Sequence, residues 1–169
     1  IVYRKRKDVK LYFMGVKHPN PEVKELDMVK KTVERAKKLD LYEKNVFFNF
    51  DWVDYSRRHN YLLEADAGII THPNHIETRF SFRTRILDYL WAGLPIISTE
   101  GDYLSGLVQS EKLGLMVPEG SPEDLADAIL KLADRDEFYE SCVENVNRIA
   151  QDFTWENVCA PLIEFCRDP

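Results

Sequence analysis

The stretch Thr71-His72-Pro73-Asn74-His75-Ile76-Glu77-Thr78-Arg79-Phe80-Ser81-Phe82-Arg83-Thr84-Arg85 holds the densest set of reactive side chains in the sequence. Imidazoles, a carboxylate, three guanidinium groups and several hydroxyls fall within fifteen residues, just ahead of a helical pattern. A helix N-terminus presents unbonded N–H groups and a partial positive charge, so it is a ready anion site. Arginines beside it suit phosphate oxygens, which a guanidinium binds through paired hydrogen bonds. Arg83, Thr84, Arg85 and the helix end are therefore candidates for holding a phosphorylated ligand. The plainer alternative is a solvated loop with Arg85 paired to Asp88 three positions on.

Asp88 follows Thr84 by one helical turn. A carboxylate there could accept hydrogen bonds from ribose hydroxyls, or be an ordinary surface acid. Gly101, in Ser98-Thr99-Glu100-Gly101-Asp102, could present its N–H to a phosphate. It could equally form a tight turn in which Asp102 caps the next helix. Gly15 ends the first apolar run and lets the backbone approach a ligand or turn sharply; a plain strand-ending glycine fits as well. Trp52 could lie against a base or sugar, or serve as a core residue, and the core reading is preferred. His18 reads as a loop residue.

These residues matter because of the elements that position them. Short apolar runs alternate with helical spacing along the chain. Strands are expected at 9–14, 45–50, 67–71, 96–99 and 114–117. Helices are expected at about 22–39, 54–65 (capped by Asp54 or Ser56), 82–92, 103–110, from Ser121, at 137–150 and from Thr154. Gly93 and Pro95 stop the 82–92 helix. Ser121-Pro122-Glu123-Asp124 is a helix start with a Ser cap, an early Pro and acids at the positive end. The last helix is expected to bury Trp155, Val158, Cys159, Leu162 and Cys166. Alternating strands and helices make an α/β domain whose parallel sheet is covered on both faces. Such sheets bind ligands beyond the carboxyl ends of their strands, where every candidate segment above lies except the helix interior holding Asp88.

The 169 residues fit one domain, 1–169, and the net charge of −6 argues against a general nucleic-acid surface. Positive charge is local, in Arg4, Lys5, Arg6 and Lys7 and in the Arg79–Arg85 segment. Cys142, Cys159 and Cys166 read as reduced, buried thiols of a cytoplasmic protein. No Cys-x-x-Cys pair or accompanying His gives them a metal-ligand pattern, and no metal site is expected. No apolar run approaches the roughly 20 residues of a membrane span, and no secretory signal is visible.

Several segments in order resemble the group 1 (family 4) glycosyltransferases. Ala65-Asp66-Ala67-Gly68-Ile69-Ile70 is similar to their "ADxxxxPS" strand. Asp88-Tyr89-Leu90-Trp91-Ala92-Gly93-Leu94-Pro95-Ile96-Ile97-Ser98-Thr99 resembles "EAxAxGxPVVAT". Gly114-Leu115-Met116-Val117-Pro118 resembles "GLLVPPGD", Ser121 to Ala126 resembles "DPEALAEAI", and Phe153-Thr154-Trp155-Glu156 resembles "FSW". The resemblance spans Asp8 to Arg167. It implies the C-terminal half of a GT-B fold, a Rossmann-like three-layer domain that holds a nucleotide-diphosphate sugar as donor substrate. It implies no metal or further cofactor, since protein groups and a helix end neutralise the diphosphate. The family signature is two glutamates separated by seven residues, the first on the donor sugar and the second on ribose. Asp88 stands at the second position. Phe80, not an acid, stands at the first, and Glu77 lies eleven before Asp88. The resemblance thus gives Glu77 the sugar-facing, catalytic-side role in a rebuilt loop.

The resemblance also implies a first strand, with its Gly-rich turn and basic pair, ahead of Ile1. It implies an acceptor-binding N-terminal domain of the same polypeptide, and peripheral membrane association is left open. Polysaccharide biosynthesis would be the setting. Two alternatives share the fold. A nucleotide-sugar 2-epimerase needs carboxylates and a His in the cleft, partly supplied by Glu77, His72 and His75. A phosphorylase needs a pyridoxal-bearing lysine, for which there is no candidate. A non-catalytic, receiver-like α/β interaction module needs an acidic pair after the first strand, where this chain has Gly15-Val16-Lys17.

Overall fold

The computed structural model describes residues 1–20, 22–24 and 26–167. They form two compact units, Ile1–Asn60 and Tyr61–Pro169.

The first unit opens with a short helix, α1 (Val2–Lys5). Strand β1 (Leu11–Phe13) pairs in parallel with β2 (Val46–Phe48), and helix α2 (Asp27–Lys38) connects them. β1 and β2 match the expected runs with shorter ends. α2 starts later than the predicted 22, and Glu25, inside the predicted span, lies outside the described residues. The expected stripe is only partly covered: Val29 and Val33 are half-buried, Ala36 is buried, and Val23 and Leu26 are exposed. An aromatic stack lines this sheet, with Phe48 lying 4.9 Å from Phe13 and 6.0 Å from Tyr42, ring centre to ring centre. Trp52 is exposed, which overturns the core reading; its nearest ring partner is His18 at 6.2 Å. Phe50, Asp51 and Asp54 beside it are exposed as well, so this stretch offers its ring no buried surface. Asp54, not Ser56, caps a 3-10 turn at Tyr55–Arg57, accepting from Ser56 N–H at 2.8 Å. Helix α3 (Arg58–Leu63) follows directly.

In the second unit, β3 (Gly68–Ile70), β4 (Ile96–Thr99) and β5 (Gly114–Val117) form a parallel sheet in that order. The expected parallel strands thus pair as two sets, β1–β2 and β3–β4–β5. The central strand β4 is buried throughout. Side chains alternate along a strand, so Ile96 and Ile97 point to opposite faces. Ile96 packs in a cluster with Ile86 and Leu90 of α5 (Arg85–Trp91), Leu104 and Val108 of α6 (Tyr103–Ser110) and Val146 of α8 (Glu137–Ala150). Ile97 packs with Val117 and with Ala128 and Leu132 of α7 (Pro122–Ala133). This is the two-faced burial expected of a parallel sheet.

The starts of α6, α7 and α8 follow local capping. Asp102 and Ser105 make a reciprocal capping box on α6, Ser121 accepts from Asp124 N–H at α7, and Asp136 accepts from two N–H groups at α8. Two expectations fail. The 82–92 helix begins only at Arg85, and a separate short helix, α4 (Ile76–Phe80), precedes it. Ser81 takes an extended conformation, and its hydroxyl donates to the Glu77 carbonyl at 2.6 Å, the acceptor a continuing helix would need. The last helix, α9 (Trp155–Arg167), buries none of its residues: Trp155 is 76% exposed, and Leu162 and Phe165 are also exposed. All three cysteines are free thiols as expected, but only Cys142 is buried, Cys159 being half-buried and Cys166 exposed. Periodicity identifies an apolar face but not what covers it. No helix among the described residues is long and apolar enough to cross a membrane.

Candidate functional site

The carboxyl ends of β3 and β4 are tied by one threonine. The His72 N–H donates to Thr99 Oγ1 at 2.8 Å, and the Thr99 hydroxyl donates back to the His72 carbonyl at 3.2 Å. The segment after β5 joins as well, because Asn74 N–H donates to the Glu119 carboxylate at 2.8 Å. The chain between His72 and Arg85 is thereby anchored at its start to both neighbouring strand ends.

Thr78 forms the hub of this segment. It is 1% exposed, its hydroxyl donates to the Pro73 carbonyl at 2.7 Å, and it accepts from Arg83 Nη2 at 3.2 Å. Arg83 is half-buried, with its Nε lacking a hydrogen-bond partner. Across from Thr78 lies Gly101, whose φ of +124° only glycine adopts readily; an added Cβ would stand 3.3 Å from Thr78 Cγ2. So Arg83, Thr78 and Gly101 form one group, and a side chain at 101 would press on the residue that holds Arg83.

The other candidates are placed as follows. Glu77 is exposed on α4, its N–H capped by His75 Nδ1 at 3.1 Å and its carboxylate 4.0 Å from His75 Nε2. Thr84 is the first-turn flank of α5 and makes no side-chain cap there. Arg85 is exposed at the start of α5, and Asp88 is half-buried one turn on. Asp102 caps α6 and flanks Gly101, as the tight-turn reading of that segment expects. Gly15 belongs to the first unit, with φ +65° and open space where a Cβ would be. Behind α5, the Tyr89 hydroxyl donates to the Ile69 carbonyl at 3.1 Å, and burial pushes its phenol up, which keeps it protonated.

His72 is the residue whose electrostatics stand out. Burial, then the Arg83 charge, push its imidazole below the ordinary value, while Asp102 and Glu77 oppose the shift and His75 adds to it. Its Nε2 is buried without a partner. Next to Arg83 and Asp102 in the chain, Phe82 and Tyr103 stack at 6.2 Å with 21° between planes, both exposed. Sequence reasoning gave no role to Thr78, Thr99 or Glu119. The one legible signal was at Thr99, a hydroxyl at the carboxyl end of the run Ile96-Ile97-Ser98-Thr99. Among the described residues, no three His, Cys, Asp or Glu side chains gather as a metal cage.

The family described as glycosyl transferases group 1 matches residues 1–135. D-inositol 3-phosphate glycosyltransferase of Saccharomonospora viridis is 29% identical over 102 residues, 60% of this chain but 23% of that protein. The chain therefore spans less than a quarter of that relative's length. Among solved structures, the C-terminal domain of the group 1 family glycosyl transferase LpcC from Francisella tularensis superposes with a TM-score of 0.70 at 17% identity, covering 90% of this chain and 73% of that one. Anabaena HepE, in complex with UDP, gives 0.70 at 17% identity over 99% of this chain and 52% of that one. At such identities the likeness is one of fold.

Proposed function

Because the chain belongs to the group 1 glycosyltransferases, we propose that it is the donor-binding part of an enzyme that moves a hexose from a nucleotide-diphosphate sugar to a saccharide or lipid-linked acceptor. The acceptor would be held by a further, N-terminal domain of the same polypeptide, and the enzyme would work at the cytoplasmic side. By itself the chain would bind nucleotide weakly and transfer nothing.

The observation that carries this reading is Arg83, tethered through Thr78 beside Gly101 at the carboxyl edge of the sheet. Its remaining N–H groups would hold the diphosphate, with Arg85, Thr84 and the Gly101 N–H adding donors. Asp88 would accept from ribose hydroxyls, and Glu77 would face the transferred sugar. The UDP held by the Anabaena protein supports a nucleotide as ligand.

Calorimetric titration of UDP, GDP, ADP and dTDP into the folded chain tests this. At least one should bind, and Arg83→Ala should weaken it by about tenfold or more, the worth of one charge-assisted hydrogen bond lost. A folded protein that binds none of the four would overturn the reading.

A further inference from the structure

Two buried side-chain nitrogens in the described residues have no hydrogen-bond partner, His72 Nε2 and Arg83 Nε. Both belong to the network built on Thr78 and Thr99. The guanidinium Nε–H only donates, and an imidazole Nε2 donates in the cation and in one neutral tautomer. Buried donors are normally satisfied, so each of these nitrogens calls for an acceptor. Beside a guanidinium the favoured acceptor is an anion.

Neither group is loosely held. The backbone of His72 bonds twice to Thr99 Oγ1, at 2.8 and 3.2 Å. Arg83 is fixed through Nη2 to the buried Thr78, which the Pro73 carbonyl holds in turn at 2.7 Å. The His72 backbone and one arm of the Arg83 guanidinium are thus fixed before any ligand arrives, which lowers the ordering cost of binding.

We propose that His72 and Arg83 form a proton-coupled clamp for the diphosphate of the nucleotide, His72 taking up one proton as the diphosphate binds and donating from Nε2 to a phosphate oxygen. This rests on the donor-binding function proposed above. Without ligand, burial and the Arg83 charge favour the neutral ring, against Asp102 and Glu77 and with a small push from His75. A diphosphate supplies negative charge that cancels the Arg83 repulsion, so the imidazolium becomes the favoured form. No bond between heavy atoms changes; a proton leaves a solvent hydronium or buffer acid and forms an N–H bond on the ring. Affinity is therefore highest at low pH and declines as pH rises through the liganded titration of His72.

The test is calorimetry on the 169-residue chain in buffers of differing ionisation enthalpy, with whichever of UDP, GDP, ADP or dTDP binds. Wild type is compared with His72→Gln, whose amide keeps a donor but does not titrate. That comparison cancels protons moved by the nucleotide itself. Wild type should take up about half to one proton more than the variant, and should lose about tenfold more affinity than it between mildly acidic and mildly alkaline pH. Equal uptake in the two proteins overturns the clamp and leaves the donor-binding function standing. Failure of all four nucleotides to bind folded wild type removes both. If the variant does not fold, NMR of the assigned His72 ring proton in wild type decides: its titration midpoint should rise on adding nucleotide, and an unmoved midpoint overturns the proposal.

Discussion

The two compact units obey the same strand–helix pattern and bury it very differently. In residues 61–167, β4 is covered on both faces, by Ile86, Leu90 and Val146 on one and by Ala128 and Leu132 on the other. In the described part of residues 1–60, Ala36 alone is buried, and the aromatic stack around Phe48 is half-covered. A three-stranded sheet has an interior strand, whereas a two-stranded one has only edges. Interior strands are where apolar residues lose all their water, so most hydrophobic stabilisation belongs to the second unit. The site cluster of His72, Thr78, Thr99 and Arg83 is built on that rigid sheet, as precise positioning requires.

The sharpest way to break this contrast is to make one substitution in both units. Gly114 lies in β5 where an added Cβ would collide with the Ile96 carbonyl and stand 2.6 Å from Ile96 N. Backbone meets backbone there, so neither side can give way without parting β4 from β5. Gly114→Ala should cost about 3 kcal/mol or more, or prevent folding. Gly15→Ala meets no atom within 4 Å and has only the left-handed φ of +65° against it; about 1 kcal/mol is expected. Urea unfolding followed by circular dichroism measures both. Equal losses would mean that the two units are packed alike.

A smaller effect comes from truncating one apolar side chain in each. Leu90, 1% exposed, sits in the cluster around Ile96; Leu90→Ala should cost about 2–5 kcal/mol through lost transfer energy and the cavity left behind. Val33, half-buried on α2, gives up two methyl groups that water already reaches. Val33→Ala should cost about 1 kcal/mol or less. Thermal melts of the two variants rank them directly, and a Val33 loss matching that of Leu90 would erase the distinction.

The same contrast explains what could be read from the residues alone. α6 and α8 fall at the expected bounds, because Asp102 and Asp136 are capping residues whose partners lie within a few residues. The site segment was legible as a place, since it follows β3 and combines arginines with hydroxyls. Its internal geometry was not. Nothing in the spacing of Thr78 and Arg83 announces that Ser81 diverts a helix between them, or that Thr78 bonds back to Pro73. The tie between His72 and Thr99 spans two strands, and only the register of β3 on β4 brings it about. Trp52 and α9 were misread for a common reason: an apolar residue states a preference for burial, but a neighbouring surface must exist to grant it.

α9 supplies the smallest effect and the finest test of that point. Its apolar stripe has the periodicity of a core helix, yet Trp155, Leu162 and Phe165 face water. Exposed residues away from packing contacts change stability little when replaced, because the folded and unfolded chains hydrate them alike. Leu162→Ser should therefore shift the unfolding free energy of this chain by only about 0.5 kcal/mol, most of it helix propensity. The α8 stripe has the same periodicity but packs on the sheet through Val146; Val146→Ser should cost several times more, since it removes buried methyl groups and strands a hydroxyl among apolar neighbours. The pair isolates coverage from pattern. A Leu162→Ser loss as large as the Val146→Ser loss would show that the α9 face is covered in solution, and the contrast between buried and bare amphipathic elements would then have to be drawn elsewhere in the molecule.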